Sequence, residues 1–355
     1  MKDTIRSTKG AMGDKVVPVP GAQPGEQRPM ALRMKERLGD IIAQMTAAGA
    51  LIVAFIFLSF ASPVFLTTDN LINIIEQNAV TATIALGMTF VIITAGIDLS
   101  VGSTAAMTGV LGVVLIAHGM NWPLALLVAV LAGGVVGLGN GLLIGVVKLN
   151  PFIATLGMMT VVRGLTDVAT NAVVVVGPAN VLGPENFGVI GLGKVAGIPV
   201  ALMILVVLSV LAYFLLNHTR LGRYTYAIGS NQEAARLSGI SVRKYLLLVY
   251  TILGLLTGLA GMIAVSRLGI GEPNFGIGLE LDVIAATVIG GASLFGGQGT
   301  IVGTLIGVFL IGLIRDGSVL LDINLFTQNV IIGVVIWLAV FWDQFRRRRI
   351  SSLSS

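Results

Sequence analysis

The sequence predicts an all-α polytopic membrane protein of about ten transmembrane helices. Three observations predict it. Of 355 residues, 55% are hydrophobic and 11% are charged, against about a quarter charged in an ordinary soluble domain. Glycine numbers 46, which would weaken soluble helices but lets helix backbones approach closely in lipid. The apolar residues fall into runs of about 20, the length that covers a bilayer at 1.5 Å per residue. Cysteine is absent, which excludes structural disulfides, cysteine-ligated zinc, iron–sulfur clusters and thiol nucleophiles.

Residues 1–40 carry Pro18, Pro20, Pro24 and Pro29 among glycines and charges and read as a disordered tail. The first apolar run begins only near Ile41, too late for a secretory signal, and is expected as a retained span over 41–60. Further spans are expected at 71–95, 100–118, 122–147, 152–172, 198–216, 242–265, 279–295, 300–314 and 325–343, set off by Gly, Pro and Asn punctuation. With the N-terminus inside, 18 of the 22 basic residues lie in cytoplasmic tails and loops. Lys194, Arg267 and Arg315 fall outside and Arg163 within a span, so the basic residues choose this orientation, with both termini cytoplasmic. Arg346 to Arg349 begin a basic tail, 346–355, that reads as a topology signal beside anionic lipid; no nucleic acid is needed to explain the net charge of +5. Spans 2–5 and 7–10 then have opposite topology, which permits an inverted repeat on topological grounds, although the two groups share no convincing residue-level similarity.

Gly133, Gly137, Gly141 and Gly145 share one face of the fourth span at four-residue spacing, and Gly254 with Gly258 and Gly303 with Gly307 repeat the device. Packing within the subunit is favoured over a dimer seam. Residues 188–194, GVIGLGK, imitate a phosphate loop, but Val195 replaces the magnesium-holding Ser or Thr, no strand-to-helix unit surrounds them, and the topology puts them outside. The two histidines, His118 and His218, fall on opposite sides of the membrane, so a hydrolase triad or paired-histidine metal site is not expected. No catalytic residue, cofactor or metal is predicted.

The longest internal loop, 218–244, is polar and reads as a short folded unit. Ser230 and Glu233 have capping-box spacing, Gly239 supplies a left-handed stop, and Ala234, Ala235 and Leu237 offer a small apolar surface. So short a helix needs a docking partner, either the subunit's own inner face or another chain. Asp98 and Ser100, at the turn between spans 2 and 3, are expected to cap the next helix, with a direct substrate contact the lesser reading. Asn150 and Pro151 read as a helix start. Arg163 and Asp167, four apart on one face, pair with each other or line a wet pathway, pairing being favoured. Glu76, Gln77 and Asn78 enter the second span, and Glu280 and Asp282 the eighth, as candidates for an outer vestibule or a docking site.

EAARLSG at 233–239 resembles the coupling motif of ABC importer permeases. GRYTYAIGSNQEAARLSGI at 222–240, GMTFVIITAGIDLSVGS at 87–103, NPFIATLGMM at 150–159 and ELDVIAATVIGGASLFGGQGTIVGTLIG at 280–307 resemble the ribose, xylose, arabinose and galactose permease family. The resemblance covers roughly residues 65–345. It implies a non-catalytic subunit with a fold similar to the vitamin B12 importer permease, set in a bacterial inner membrane as a homodimer with a second permease copy. It also implies a cytoplasmic ATP-binding cassette ATPase docked on 233–239, a periplasmic sugar-binding protein and a monosaccharide substrate. The rivals are a branched-chain amino-acid permease of the same class, a secondary transporter or channel, which the 233–239 loop argues against, and an intramembrane enzyme, for which histidine and cysteine leave little chemistry.

Overall fold

The computed structural model describes residues 30–341 except 184, 185, 325, 336, 339 and 340, with side chains from Met45 onward. Most of the predicted N-terminal tail, 1–29, and the predicted basic tail, 346–355, lie outside the described residues; the rest of the expected disordered stretch, 30–40, is instead helical, the run of good helix formers from Met30 to Leu38 opening α1. Met30–Gly39 belongs to a separate N-terminal unit, and everything below concerns the chain from Asp40 on.

The chain is mostly helical. Helices α1 (Met30–Ala61), α2 (Thr68–Ile93), α3 (Val101–Ala117), α4 (Trp122–Gly145) and α5 (Pro151–Thr170) come first. Then follow β1 (Val175–Val176), α6 (Ala179–Leu182), α7 (Val189–Leu192), β2 (Lys194–Val195) and β3 (Ile198–Pro199). The remainder is α8 (Val200–His218), α9 (Arg220–Ser230), α10 (Gln232–Leu237), α11 (Val242–Leu268), β4 (Ile270–Gly271), α12 (Leu279–Ile289) and α13 (Ile301–Leu320). The strands form two antiparallel pairs, β1 with β4 and β2 with β3.

Helix starts follow local chemistry. Thr67 caps α2, Asn121 caps α4 ahead of Pro123, Asn150 caps α5 through the Phe152 amide ahead of Pro151, and Thr300 caps α13. The Asn150–Pro151 start therefore stands as read. Among the described residues six helices are long and apolar enough to cross a membrane: α2, α4, α5, α8, α11 and α13. Met45–Ala61, α3 and Phe326–Val335 are apolar but shorter. The segment expected as a span over 279–295 is different. Its helix α12 has 11 residues, about 16 Å of rise, and gives way to a glycine-rich loop.

Helix α2 is enclosed by α11, α13, α8 and α12, whereas α5 and α8 turn Val161, Leu165, Val168, Val206, Val207 and Val210 outward, the apolar exterior that lipid requires. The glycine face of α4 meets α11. A β-carbon at Gly137 would overlap the Tyr250 carbonyl oxygen, one at Gly133 the Gly254 carbonyl, and one at Gly141 would stand 2.9 Å from Leu247 Cα. Gly145 completes the row against Leu247, and Gly254 and Gly258 return the contact from α11. Gly303 and Gly307 do the same for α13 against α12, at Gly290 and Ala286. The small residues seal the inside of the subunit, as expected.

Candidate functional site

The segment 94–100 is not a turn at the end of the bundle. Ile93 accepts from the Gly297 amide at 2.8 Å, while Ala105 packs on Gly261, 11 residues beyond Tyr250, which touches Gly96 and Ile97. Ala105, in the second turn of α3, thus lies about 16 Å along α11 from the level of Tyr250; the segment runs beside α11, and α3 starts inside the bundle. Along it Asp98 is buried. Its Oδ1 accepts from the Ser100 amide at 2.8 Å and the Ser100 hydroxyl at 2.6 Å, and its Oδ2 accepts from Asn140 Nδ2 at 2.9 Å. Asn140 also donates to Ser100 Oγ at 2.9 Å.

The capping expectation is thereby corrected. Ser100 occupies the cap position of α3 but makes no side-chain cap bond, because its hydroxyl and the Asp98 carboxylate are engaged with each other and with α4. A carboxylate buried without a cation is held by the donors around it. Asn140 was not singled out from the sequence; its signal was one amide within a long apolar helix. Asn140→Ala removes two donors from this cluster and is expected to destabilise the protein by about 2–3 kcal/mol, read as a lowered melting temperature in detergent. An unchanged melting temperature would mean that Ser100 alone satisfies Asp98.

Arg163 does not pair with Asp167. Its Nη1 donates to the carbonyl oxygens of Pro273 and, at 3.0 Å, Phe275, while Asp167 Oδ1 is buried without a hydrogen-bond partner. The loop before α12 presents carbonyls that no helix or strand satisfies, and a guanidinium has donors enough to take two of them. Glu280 and Asp167 both lie within electrostatic reach of Arg163. A β-carbon at Gly102 would stand 2.6 Å from Glu280 Oε2, so the first turn of α3, the positive end of its dipole, faces that carboxylate.

A cavity of 240 Å³ collects Gln77, Asn78, Asp282, Arg267, Arg315 and Phe275, among others, between α2, α11, α12 and α13. Arg315 Nη2 donates to both Asp282 oxygens, at 2.8 and 2.6 Å, and Arg267 to Asn73 Oδ1 at 2.7 Å. Asn78 donates to the Ile74 carbonyl at 2.7 Å and fills the notch left by Gly312. Glu76 is buried but outside this lining, since one helical residue turns about 100°. Arg267 and Arg315 were read only as outside charges. That they break the inside bias of the basic residues was the signal for a site.

At the other end of α11, segment 218–244 forms the hairpin of α9 and α10. The capping box is replaced by its neighbour: Asn231 Oδ1 accepts from the Ala234 amide at 2.9 Å, and Ser230 is the last residue of α9, packed on Gly297. Glu233 turns instead to Arg236, with bonds of 2.9 and 2.5 Å. That hydrogen bond holds the Glu233 carboxyl below its ordinary value and raises the Arg236 guanidinium. Gly239 stops the helix at φ 82, as expected, and the Ile240 amide closes on the Ala235 carbonyl at 3.0 Å. Ala235 packs inward, whereas Ala234 is exposed and Leu237 is 75% exposed. The apolar surface is thus divided between the subunit's own body and the outside. Beside α10 lies a cleft of 1150 Å³ bordered by the ends of α2, α4, α5 and α11.

Residues 188–194 hold α7, with Gly191 pressed against the backbone at Arg267 and its amide bonded to Ser266 Oγ at 2.8 Å. Among the described residues no group of three or more His, Asp or Glu stands where it could hold a metal ion.

Comparison with known proteins places the chain in context. The family described as branched-chain amino acid transport system / permease component matches residues 70–340. The ribose import permease protein RbsC of Escherichia coli K12 is 44% identical over 297 residues, 83% of this chain and 91% of that one. RbsC of Bacillus subtilis is 45% identical over 295 residues, 83% and 90% of the two chains. The L-arabinose ABC transporter permease protein AraH of Azospirillum brasilense is 40% identical over 298 residues, 84% and 86%. The D-allose transport system permease protein AlsC of Escherichia coli K12 is 39% identical over 298 residues, 83% and 89%. No solved structure matches.

Proposed function

The chain belongs to the family of branched-chain amino acid transport system permease components, and on that premise we propose that it forms the membrane pathway of an ATP-driven monosaccharide importer. The carrying observation is the identity of 44–45% with ribose import permeases over 83% of the chain. The family's description speaks of branched-chain amino acids, but these nearer relatives are named for sugars, which favours a sugar here.

In this reading the subunit is non-catalytic. A separate cytoplasmic ATPase hydrolyses ATP, a periplasmic binding protein delivers the sugar, and two permease copies stand side by side in a bacterial inner membrane with both termini cytoplasmic. Counting α1, α3, α12 with its following loop, and the helix at Phe326–Val335 beside the six long helices, the chain has about ten spans over 41–345, a fold similar to the vitamin B12 importer permease, and an inverted repeat relating spans 2–5 to 7–10. Residues 1–40 and 346–355 are tails on the cytoplasmic side. Helix α10 is the ATPase contact; the outward Leu237 and Ala234 and the Gly239 stop support this. Gln77, Asn78 and Asp282 border the outer mouth, with Glu76 behind them. Arg163, Asp167 and Glu280 lie further in, where charged and amide groups can exchange hydrogen bonds with sugar hydroxyls.

Reconstitution tests the reading. Purified permease in vesicles is expected to take up sugar only with the ATPase, ATP and the binding protein all present. Uptake driven by a proton or sodium gradient without an ATPase would replace it with a secondary transporter.

A further inference from the structure

The cleft beside α10 opens between the C-terminal ends of α2 and α4 and the N-terminal ends of α5 and α11. Its charged lining is Lys148, Glu233, Arg236 and Arg243. Glu233 is taken up by Arg236, and neither Lys148 nor Arg243 has an ion-pair partner among the described residues. The cleft is therefore cationic. Lys148 enters it from a left-handed backbone, φ 64, an uncommon and costly conformation for a side chain with a β-carbon. Helix α11, 27 residues long, begins at the same wall with no acidic residue in its first turn and no side-chain cap from Ser241, so its free amides add to the positive end.

The surroundings of Lys148 decide what kind of anion fits. Leu149 lines the cleft beside it, and Leu149, its chain neighbour Val147, and Phe152 and Ile153 at the start of α5 are all exposed. A free phosphate or an acidic protein segment would leave those side chains in water. A lipid covers both parts at once, because its phosphate reaches the cations while its acyl chains lie on the apolar belt.

We propose that this cleft binds the phosphate headgroup of an anionic phospholipid, held by Lys148 and Arg243. Since Glu233 and Arg236 line the same cleft, the bound lipid sits against α10 and orders the hairpin. The inference depends on the cleft alone. A permease that retained the lipid but never met an ATPase would fail the import reading and not this one.

The test uses the full-length permease in nanodiscs of mixed phosphatidylcholine and phosphatidylglycerol, extracted into detergent, with retained lipid identified by native mass spectrometry. Phosphatidylglycerol is expected to be retained selectively. The double variant Lys148→Gln/Arg243→Gln should lower that selectivity about thirtyfold, from roughly 1 kcal/mol per cation at the surface. Lys244→Gln, at an exposed neighbour outside the cleft lining, should retain it, as should the charge-preserving Lys148→Arg/Arg243→Lys. Equal retention of the two lipids by the parent, or an unchanged double variant, overturns the proposal. So does displacement of the lipid by glycerol phosphate or inorganic phosphate, which would assign the cleft to a free anion. Expulsion of the lipid when the ATPase is added would assign it to a protein segment instead.

Discussion

Gly137→Val is expected to abolish folded protein, with little recovered after detergent extraction and no monodisperse peak in size-exclusion chromatography. The new side chain has no pocket to enter: its first carbon already overlaps the Tyr250 carbonyl oxygen and stands 3.0 Å from Gly254 Cα. Overpacking among side chains costs about 1–3 kcal/mol because rotamers can shift. Here backbone meets backbone, so α4 and α11 must separate as bodies and the cost exceeds that range. Gly157→Val is the control, since Gly157 is also helical but has nothing within 4 Å. It should change stability by no more than about 0.5 kcal/mol. Equal expression of both variants would refute the seam.

The second large effect is expected at α10. Gly239→Val should abolish ATPase association and sugar uptake while leaving the yield and melting temperature of the membrane body near the parent's. Gly239 has φ 82 and nothing within 4 Å of a β-carbon, so the penalty is conformational rather than steric, and a β-branched residue fits that region poorly. The cap bond lies at Asn231 rather than at Ser230 and Glu233, which ranks the neighbours. Asn231→Ala removes the cap bond, worth about 1 kcal/mol, and should weaken coupling noticeably. Glu233→Ala loses only an exposed ion pair with Arg236, 64–65% accessible on both sides, and should weaken it less. The measurement is ATPase pull-down and uptake at matched permease levels. Parent-like binding by Gly239→Val would remove α10 from the coupling role.

What the sequence made legible was whatever is decided locally or periodically. Long apolar runs became α2, α4, α5, α8, α11 and α13 because lipid leaves a chain few other options. The four-residue glycine spacing on α4 identified a contact face, and Asn150–Pro151 identified a helix start, since both depend on neighbours in the chain. Decisions between distant residues were not legible. Ser230 and Asn231 are both good caps, and the choice fell to Asn231 because Gly297, 67 positions away, occupies the space beside Ser230. Asp98 looked like a cap because its partner Asn140 lies 42 residues on. Arg163 looked bound to Asp167 because the carbonyls of Pro273 and Phe275 that win it are 110 and 112 residues distant.

The glycine seam also has a mechanical meaning. Side chains between helices act as springs, since each can rotate a little under load, and α4 and α11 have few of them where their backbones touch. Backbone against backbone, the pair forms a stiff strut. Residues 238–241 join α10 directly to the start of α11, and the 27 residues of α11 carry its far end about 40 Å away, to Arg267 at the wall of the 240 Å³ cavity. One unbroken helix thus connects the end of α10 to Arg267, braced by α4 along its first half.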